Sequence, residues 1–283
     1  MSNSSQPVTP KPSATVMVVR PTANPDDVME VFMLRRHSRS KFMPDRYVFP
    51  GGGLETHDYE PETLALLKLD SPEGTLFRDL PGEGAYDQGT PLTATQEKGL
   101  FVTTFRELFE EAGVLLAIHK ETGESFELLE GSAEHHKYAR YRDQLHVHEI
   151  SFRDILTQEN LLLDASRLVY YSHWITPFVE PIRYDTRFFV TLAQPDQIAE
   201  SDYLETTHGL WISPRTALAR YEAGDFNLIF PTILHLRRLA IHDNIADMLE
   251  VARNKTVIPV SPDAIPSEVG LDFKLPGAIA DRW

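Results

Sequence analysis

Cysteine is absent from these 283 residues. Disulfides, thiolate metal sites and a cysteine nucleophile are therefore excluded. No apolar run reaches the eighteen or so residues that a membrane-spanning helix requires. Cations are scarce: 27 Lys and Arg face 42 Asp and Glu, for a formal net charge of −15 and an isoelectric point near 5.1. That balance argues against nucleic acid or an anionic membrane surface as the main partner. It leaves room for a phosphate-bearing small molecule, which needs only a local basic patch. Residues 1–13 are rich in Ser, Pro and Thr and lack the apolar centre of a signal peptide, so they read as the flexible tail of a cytoplasmic protein. The length suits one large domain or two small ones, and an apolar content of 42% supports a substantial core.

What acid there is includes one concentrated cluster. Positions 106–114 read Arg-Glu-Leu-Phe-Glu-Glu-Ala-Gly-Val. At about 100° per residue, Glu107, Glu110 and Glu111 share a narrow helical face. Phe101, Val102, Phe105, Leu108, Phe109 and Ala112 fall opposite. Three like charges at this spacing repel one another unless cations sit among them. Oxygen-only donors suit hard divalent ions such as Mg²⁺ or Mn²⁺. Upstream, positions 47–55 read Tyr-Val-Phe-Pro-Gly-Gly-Gly-Leu-Glu. This predicts a strand ending in a loop whose backbone can approach a ligand closely.

Together the two segments resemble the Nudix box, whose pattern is Gly, five residues, Glu, seven residues, Arg-Glu-apolar-x-Glu-Glu-x-Gly-apolar. Positions 106–114 match its second half throughout, and 49–55 match the approach to its first half. Gly52 and Arg106 are 54 positions apart, so about forty residues are inserted within the box. Asp58 takes the place of the first-half glutamate when counting from Gly52, and Lys98 when counting back from Arg106, leaving Asp58 and Glu97 as candidates. A box split in this way resembles the coenzyme A diphosphatase-like branch of the Nudix hydrolases. The resemblance implies an α/β fold, a Nudix-type α/β/α sandwich with a mixed sheet and helical insertions.

Patterning fills in the elements. Strands are expected at 14–20 and 28–36, joined by the turn Asn24-Pro25-Asp26-Asp27, and at 46–49, 168–176, 187–192 and 209–212. Helices are expected at 94–112 with Gly113 as C-cap, at 134–145, from the N-cap Ser151 to about 159, after Ser213-Pro214, and over 232–253, where Thr232 caps the start. The Nudix domain is expected to span 14–255. The insertion, about 59–95, shows one helix-like piece at 62–69 and reads as a lid, a dimer arm or a tolerated surface loop. Residues 256–283 read as a C-terminal extension wrapping the surface.

The resemblance also implies roles. Glu107, Glu110 and Glu111, with the carbonyl of Gly52, would hold Mg²⁺ or Mn²⁺ against the diphosphate of a small-molecule substrate. Arg106 would orient one of these glutamates. Glu205, six residues before Trp211, is the candidate general base, with Glu200, Glu107 and Glu110 as alternatives. Arg36 and Arg39, in a basic stretch before the glycines, and Arg183 and Arg187, in Arg-Tyr-Asp-Thr-Arg-Phe-Phe, would contact substrate phosphates. Charge protection of a strand edge and a buried Arg–Asp pair are the structural alternatives. His135-His136 and His146-x-His148 lack the further ligands zinc needs. Trp174 and Trp211 read as core. Coenzyme A or an acyl-coenzyme A is the expected substrate. Nucleotide sugars, dinucleotides and a non-catalytic nucleotide sensor are the alternatives, and a homodimer is left open.

Overall fold

The computed structural model describes residues 8–40, 43–69, 76–77, 79, 89–128, 131–193, 199–202, 206–267, 270–277, 279 and 283. Along the chain lie β1 (Lys11–Pro21), β2 (Met29–Arg36), β3 (Tyr47–Val48), β4 (Gly51–Gly53), α1 (Pro61–Leu64), β5 (Leu67–Lys68), α2 (Ala94–Ala112) and β6 (Ala117–His119). Then follow α3 (Ala133–His146), α4 (Phe152–Gln158), β7 (Leu161–Asp164), β8 (Val169–Ile175), β9 (Tyr184–Leu192) and β10 (Thr206–Ile212). The chain closes with α5 (Pro214–Glu222), α6 (Phe230–Leu239), α7 (Ile245–Asn254), β11 (Pro259–Val260), β12 (Asp263–Ser267) and β13 (Gly270–Lys274). Among the described residues, no helix is long and apolar enough to cross a membrane.

The main sheet runs β10-β2-β1-β9-β8-β11, with β3 on β2 and β4 on β1. It is mixed, because β1 pairs parallel with β9 and antiparallel with β2. One edge of β1 is shared: Val19–Pro21 pair with β2, and Ser13–Thr15 pair with the glycines of β4. The glycine motif is thus built into the sheet.

Strand period decides which side each residue serves. Ala14, Val16 and Val18 enter a core beneath α2, whereas Met17 and Val19 enter a second core beneath α5, α6 and α7. A fully buried Val, Leu or Phe contributes roughly 1.5–3 kcal/mol, so β1, buried on both faces, pins the two layers together. The expected α/β/α sandwich is what forms.

α2 occupies the residues its pattern predicts. Thr93 caps it by accepting from the Gln96 N–H, and Gly113 ends it at φ 68°, a left-handed turn that favours glycine. Elsewhere the expectations shift. β1 begins at Lys11, inside the stretch read as a tail, because Ser13 is needed opposite Gly53. The α6 cap is Ile229, with no side-chain bond, and Thr232 is buried inside the helix. A proline at the helix start marked the element but not its first residue. The helix-like piece at 62–69 is only the four residues of α1, followed by β5.

Two longer segments behave differently from their sequence reading. Residues from 256 on do more than wrap the surface: Val260 is fully buried, β11 joins the sheet beside β8, and Trp283 packs on Trp174. Spaced apolar residues among prolines hide a core contribution that periodicity cannot reveal. The described residues of the insertion are docked. Phe77 enters the core beneath α2, the Tyr170 hydroxyl donates to Asp79, and the Thr90 N–H donates to Asp185 at 2.6 Å.

Candidate active site

The acids of α2 face the glycines of β4 closely enough that a side chain at Gly52 has no room. A Cβ placed on Gly52 would collide with the Glu107 carboxylate. Glycine is therefore required there for contact rather than for flexibility. The Gly51 N–H donates to Glu111 Oε2 at 2.8 Å, which ties strand and helix together while leaving Glu111 only 4% exposed.

Arg106 organises the cluster from below. It is buried, and its Nε and Nη2 donate to Asp58 Oδ1 and Oδ2 at 2.8 and 2.9 Å. Nη1 donates to Glu107 Oε1 at 2.7 Å and to Glu110 Oε2 at 3.3 Å, and Nη2 also reaches the Gly53 carbonyl at 3.1 Å. Burial alone would lower its proton affinity; the Asp58 bonds and the charges of Glu107, Asp58 and Glu110 raise it instead. Arg106 is a fixed cation holding helix, turn and glycine strand in one frame.

Asp58 completes that frame. It is fully buried and accepts from Thr103 Oγ1 at 2.8 Å and from the Glu55 N–H at 3.0 Å in addition to Arg106. Of the positions weighed for the first-half glutamate, Asp58 is the one brought to Arg106. A one-turn 3₁₀ helix, Thr56–Tyr59, lets the shorter acid reach. The insertion follows it, so the forty extra residues enter between Asp58 and Arg106, and the buried pair closes the gap they open.

Electrostatically the cluster is unbalanced. The Glu110 carboxyl is pushed up to about 7, first by burial and then by the charges of Glu107, Asp58 and Glu55, against the pull of Arg106. Among the described residues, no three acids or imidazoles already converge as a cation site; Arg106 contacts both Glu107 and Glu110. The donor set nonetheless fits a hard divalent ion, since it is oxygen only, charge-rich and open to a large cavity.

That cavity is about 1030 Å³. Glu107, Glu110, Glu111 and Glu55 line one end, with Gly51, Gly52 and Gly53. Trp174, Phe188, Ile229, Phe230 and Phe273 also line the cavity.

The family model for the NUDT19 Nudix domain matches residues 11–239, a span that contains both halves of this site. The chain belongs to the NUDT19 Nudix domain family. It is 25% identical over 273 residues to the acyl-coenzyme A diphosphatase NUDT19 of Xenopus laevis, covering 88% of this chain and 70% of that protein. It is 27% identical to the Gallus gallus protein of the same name and 26% identical to the Homo sapiens one. Those alignments cover 81% and 79% of this chain and 65% and 64% of the relatives. A crystal structure of a NUDIX hydrolase from Alicyclobacillus acidocaldarius is similar, with a TM-score of 0.62 at 26% identity, covering 87% of this chain and 97% of that one.

Within this Nudix site the predicted substrate residues divide. Arg36 lines the cavity, with its guanidinium bonded to Ser40 Oγ at 3.0 Å. Arg39 is exposed and does not line the cavity. Arg183 is buried, donating to the carbonyls of Thr176 and Val8, and Arg187 bonds Asp185 and lies over Phe77. Neither lines the cavity. Alternation on β9 sends Tyr184, Thr186 and Phe188 to the cavity and Asp185 and Arg187 to the opposite face, so the buried-pair alternative describes Arg187. Within the insertion, the Thr90 N–H reaches that same Asp185, on the face of β9 away from the cavity.

Glu205 lies outside the described residues. Glu200 is exposed and does not line the cavity, whereas Asp202 does. His146 and His148 also reach it; their pairing was visible in the sequence, but zinc was the only role weighed. Trp174 is buried as expected yet also forms cavity wall, and Trp211 is half-buried beneath Arg20.

Gly52→Ala tests the packing of strand on helix. The methyl must displace the Glu107 carboxylate, so kcat/KM is expected to fall by roughly 10²-fold, the scale of a misplaced catalytic group. Circular dichroism should show the fold retained. Unchanged activity would contradict the close approach.

Proposed function

We propose that this chain is a divalent-metal-dependent hydrolase of a diphosphate linkage, with coenzyme A or an acyl-coenzyme A as substrate. The observation that carries it is the acid cluster of α2 set against the glycine strand at one end of a cavity large enough for a substrate of that size. The activity named for the NUDT19 relatives points the same way.

Glu107, Glu110 and Glu111, with the Gly52 carbonyl, would hold Mg²⁺ or Mn²⁺. When bound, the ion supplies charge neutralisation at the diphosphate oxygens and a lowered pKa for attacking water. The chain's own residues do the rest. Asp58 fixes the Arg106 guanidinium, and Arg106 fixes the Glu107 carboxylate by a charge-assisted bond. Glu111, anchored on the Gly51 N–H, holds the helix at a set distance from the strand. A carboxylate, with Glu205, Glu107 and Glu110 as the candidates, accepts the proton of the attacking water. The bond from the attacked phosphorus to the bridging oxygen breaks, and that oxygen leaves with the other phosphate. Coenzyme A would give adenosine 3′,5′-bisphosphate and 4′-phosphopantetheine. Arg36, on the cavity wall, is assigned to a substrate phosphate. A cytoplasmic setting accompanies this reading.

Incubation with Mg²⁺ or Mn²⁺ and a panel of coenzyme A, acyl-coenzyme A, nucleotide sugars and dinucleotides tests the proposal. Turnover of the coenzyme A compounds above the rest is expected, and EDTA should abolish it. Preference for a nucleotide sugar or dinucleotide would move the substrate elsewhere. No turnover, together with a nucleotide-induced rise in Tm, would mark a sensor.

A further inference from the structure

The sheet beneath the cavity has a measurable width. Sheet register places Gly53, Ser13, Thr186, Trp174 and Val260 in one row across five strands. Four inter-strand steps of about 4.8 Å put roughly 19 Å between the glycine strand and β11. The diphosphate end belongs with the acids at β4. From there a pantetheine chain runs about a dozen atoms, the number in four residues of extended peptide, which span roughly 14 Å. It ends short of β11. What lies beyond is whatever is joined to its sulfur.

The distal end is aromatic. The rings of Trp174 and Phe230 meet edge to face at 6.2 Å, and those of Phe230 and Phe273 lie 6.3 Å apart. Pro262 lines the same cavity. Phe273 stands on the hairpin formed by β12 and β13, opposite Ala264, and Pro262 immediately precedes that hairpin. Both residues lie beyond position 239, where the match to the NUDT19 Nudix domain ends.

We propose that this C-terminal hairpin, through Phe273 and Pro262, joins Trp174 and Phe230 in an apolar subsite for the acyl chain of an acyl-coenzyme A, so that a segment outside the matched domain sets the preference for acylated over free coenzyme A. The proposal rests on the functional reading above and names the part of the substrate that this chain selects. Hydrocarbon is the occupant these side chains suit, since none of the four carries a charge. Each methylene fully buried there is worth roughly a fourfold gain in affinity, enough for a few carbons to dominate selectivity.

The test compares free, acetyl- and octanoyl-coenzyme A in the wild type, Phe273→Ala and Phe273→Leu. In the wild type, kcat/KM is expected to rise with chain length. Phe273→Ala should cut the octanoyl value about tenfold through KM, leave free coenzyme A within about twofold, and be largely rescued by Phe273→Leu. Equal losses on all three substrates, or none, would overturn the subsite. A second readout needs no turnover. Tryptophan fluorescence of the EDTA-treated protein, in which Trp174 and Trp283 are neighbours at 4.9 Å, should change with octanoyl-pantetheine at concentrations where pantetheine has no effect, and Phe273→Ala should abolish the difference. If the two compounds bind alike, the proposal fails whatever the enzyme cleaves. If octanoyl-pantetheine binds selectively but no coenzyme A compound is hydrolysed, the subsite stands and the functional reading fails.

Discussion

Glu110→Gln is expected to lower kcat/KM by roughly 10³-fold and, in the same protein, to make the metal-free form more stable at pH 8. The two effects have one origin. Glu110 is held among Glu107, Asp58 and Glu55 with a carboxyl pushed up to about 7 from an ordinary 4.5. Below pH 4.5 the group is protonated in both folded and unfolded chains and contributes nothing to the balance. Between 4.5 and 7 the unfolded chain releases the proton that the folded chain retains, so folding is progressively penalised, and above 7 the penalty is complete. A shift of this size corresponds to at most about 3 kcal/mol. Glutamine removes the charge but also weakens the contact with Arg106, so a net gain of about 1–2 kcal/mol at pH 8 is expected. Urea denaturation in EDTA at pH 5 and pH 8 checks it. The variant should be flatter with pH than the wild type and more stable only at the higher value. Added Mn²⁺ should raise the Tm of the wild type more than that of the variant, because a ligand that binds only the folded state stabilises in proportion to its affinity. A variant less stable than the wild type at pH 8 would mean that the cluster is not strained by its own charge.

Much of this site was legible in the sequence because its chemistry is local. Glutamates at i, i+3 and i+4 share a helical face whatever surrounds them, and Gly113 ends that helix on its own terms. The glycine strand was equally visible, since three consecutive glycines have few other uses. The hidden parts are those set by pairing between distant segments. Whether Arg187 faces the cavity depends on the register of β9 against β1, and a shift of one residue reverses the answer. The choice of Asp58 over Glu97 or Lys98 depends on a single 3₁₀ turn that no periodicity announces. The cavity role of residues 262 and 273 arises from a short hairpin among prolines, where composition reads as loop. The sandwich was accessible through motif and alternation, whereas the distant half of the cavity wall was a tertiary property.

Asp58→Ala is expected to be the most destabilising single change in the site. Arg106 is buried with a side chain 4% exposed, and Asp58 is its bidentate partner with no exposure at all. Removing one member of such a pair leaves a desolvated charge without compensation, which costs about 3–5 kcal/mol. The remaining acids offset little of it, because Glu107 and Glu110 both contact Nη1 whereas Asp58 alone accepts from Nε. Asp58→Asn keeps an acceptor and should cost less, about 1–3 kcal/mol. Activity should follow geometry rather than stability alone. At a temperature where the variant is fully folded, kcat/KM should still be about 10²-fold down, because a guanidinium freed from Asp58 no longer holds the Glu107 carboxylate beneath Gly52. A double-mutant cycle with Arg106→Ala separates this from general damage. If the two side chains act as one unit, removing both should cost far less than the sum of the single changes, with a coupling of roughly 2–3 kcal/mol. Additive losses would mean that the split box holds its first and second halves together by some other contact, and that Asp58 is merely a buried acid near the turn.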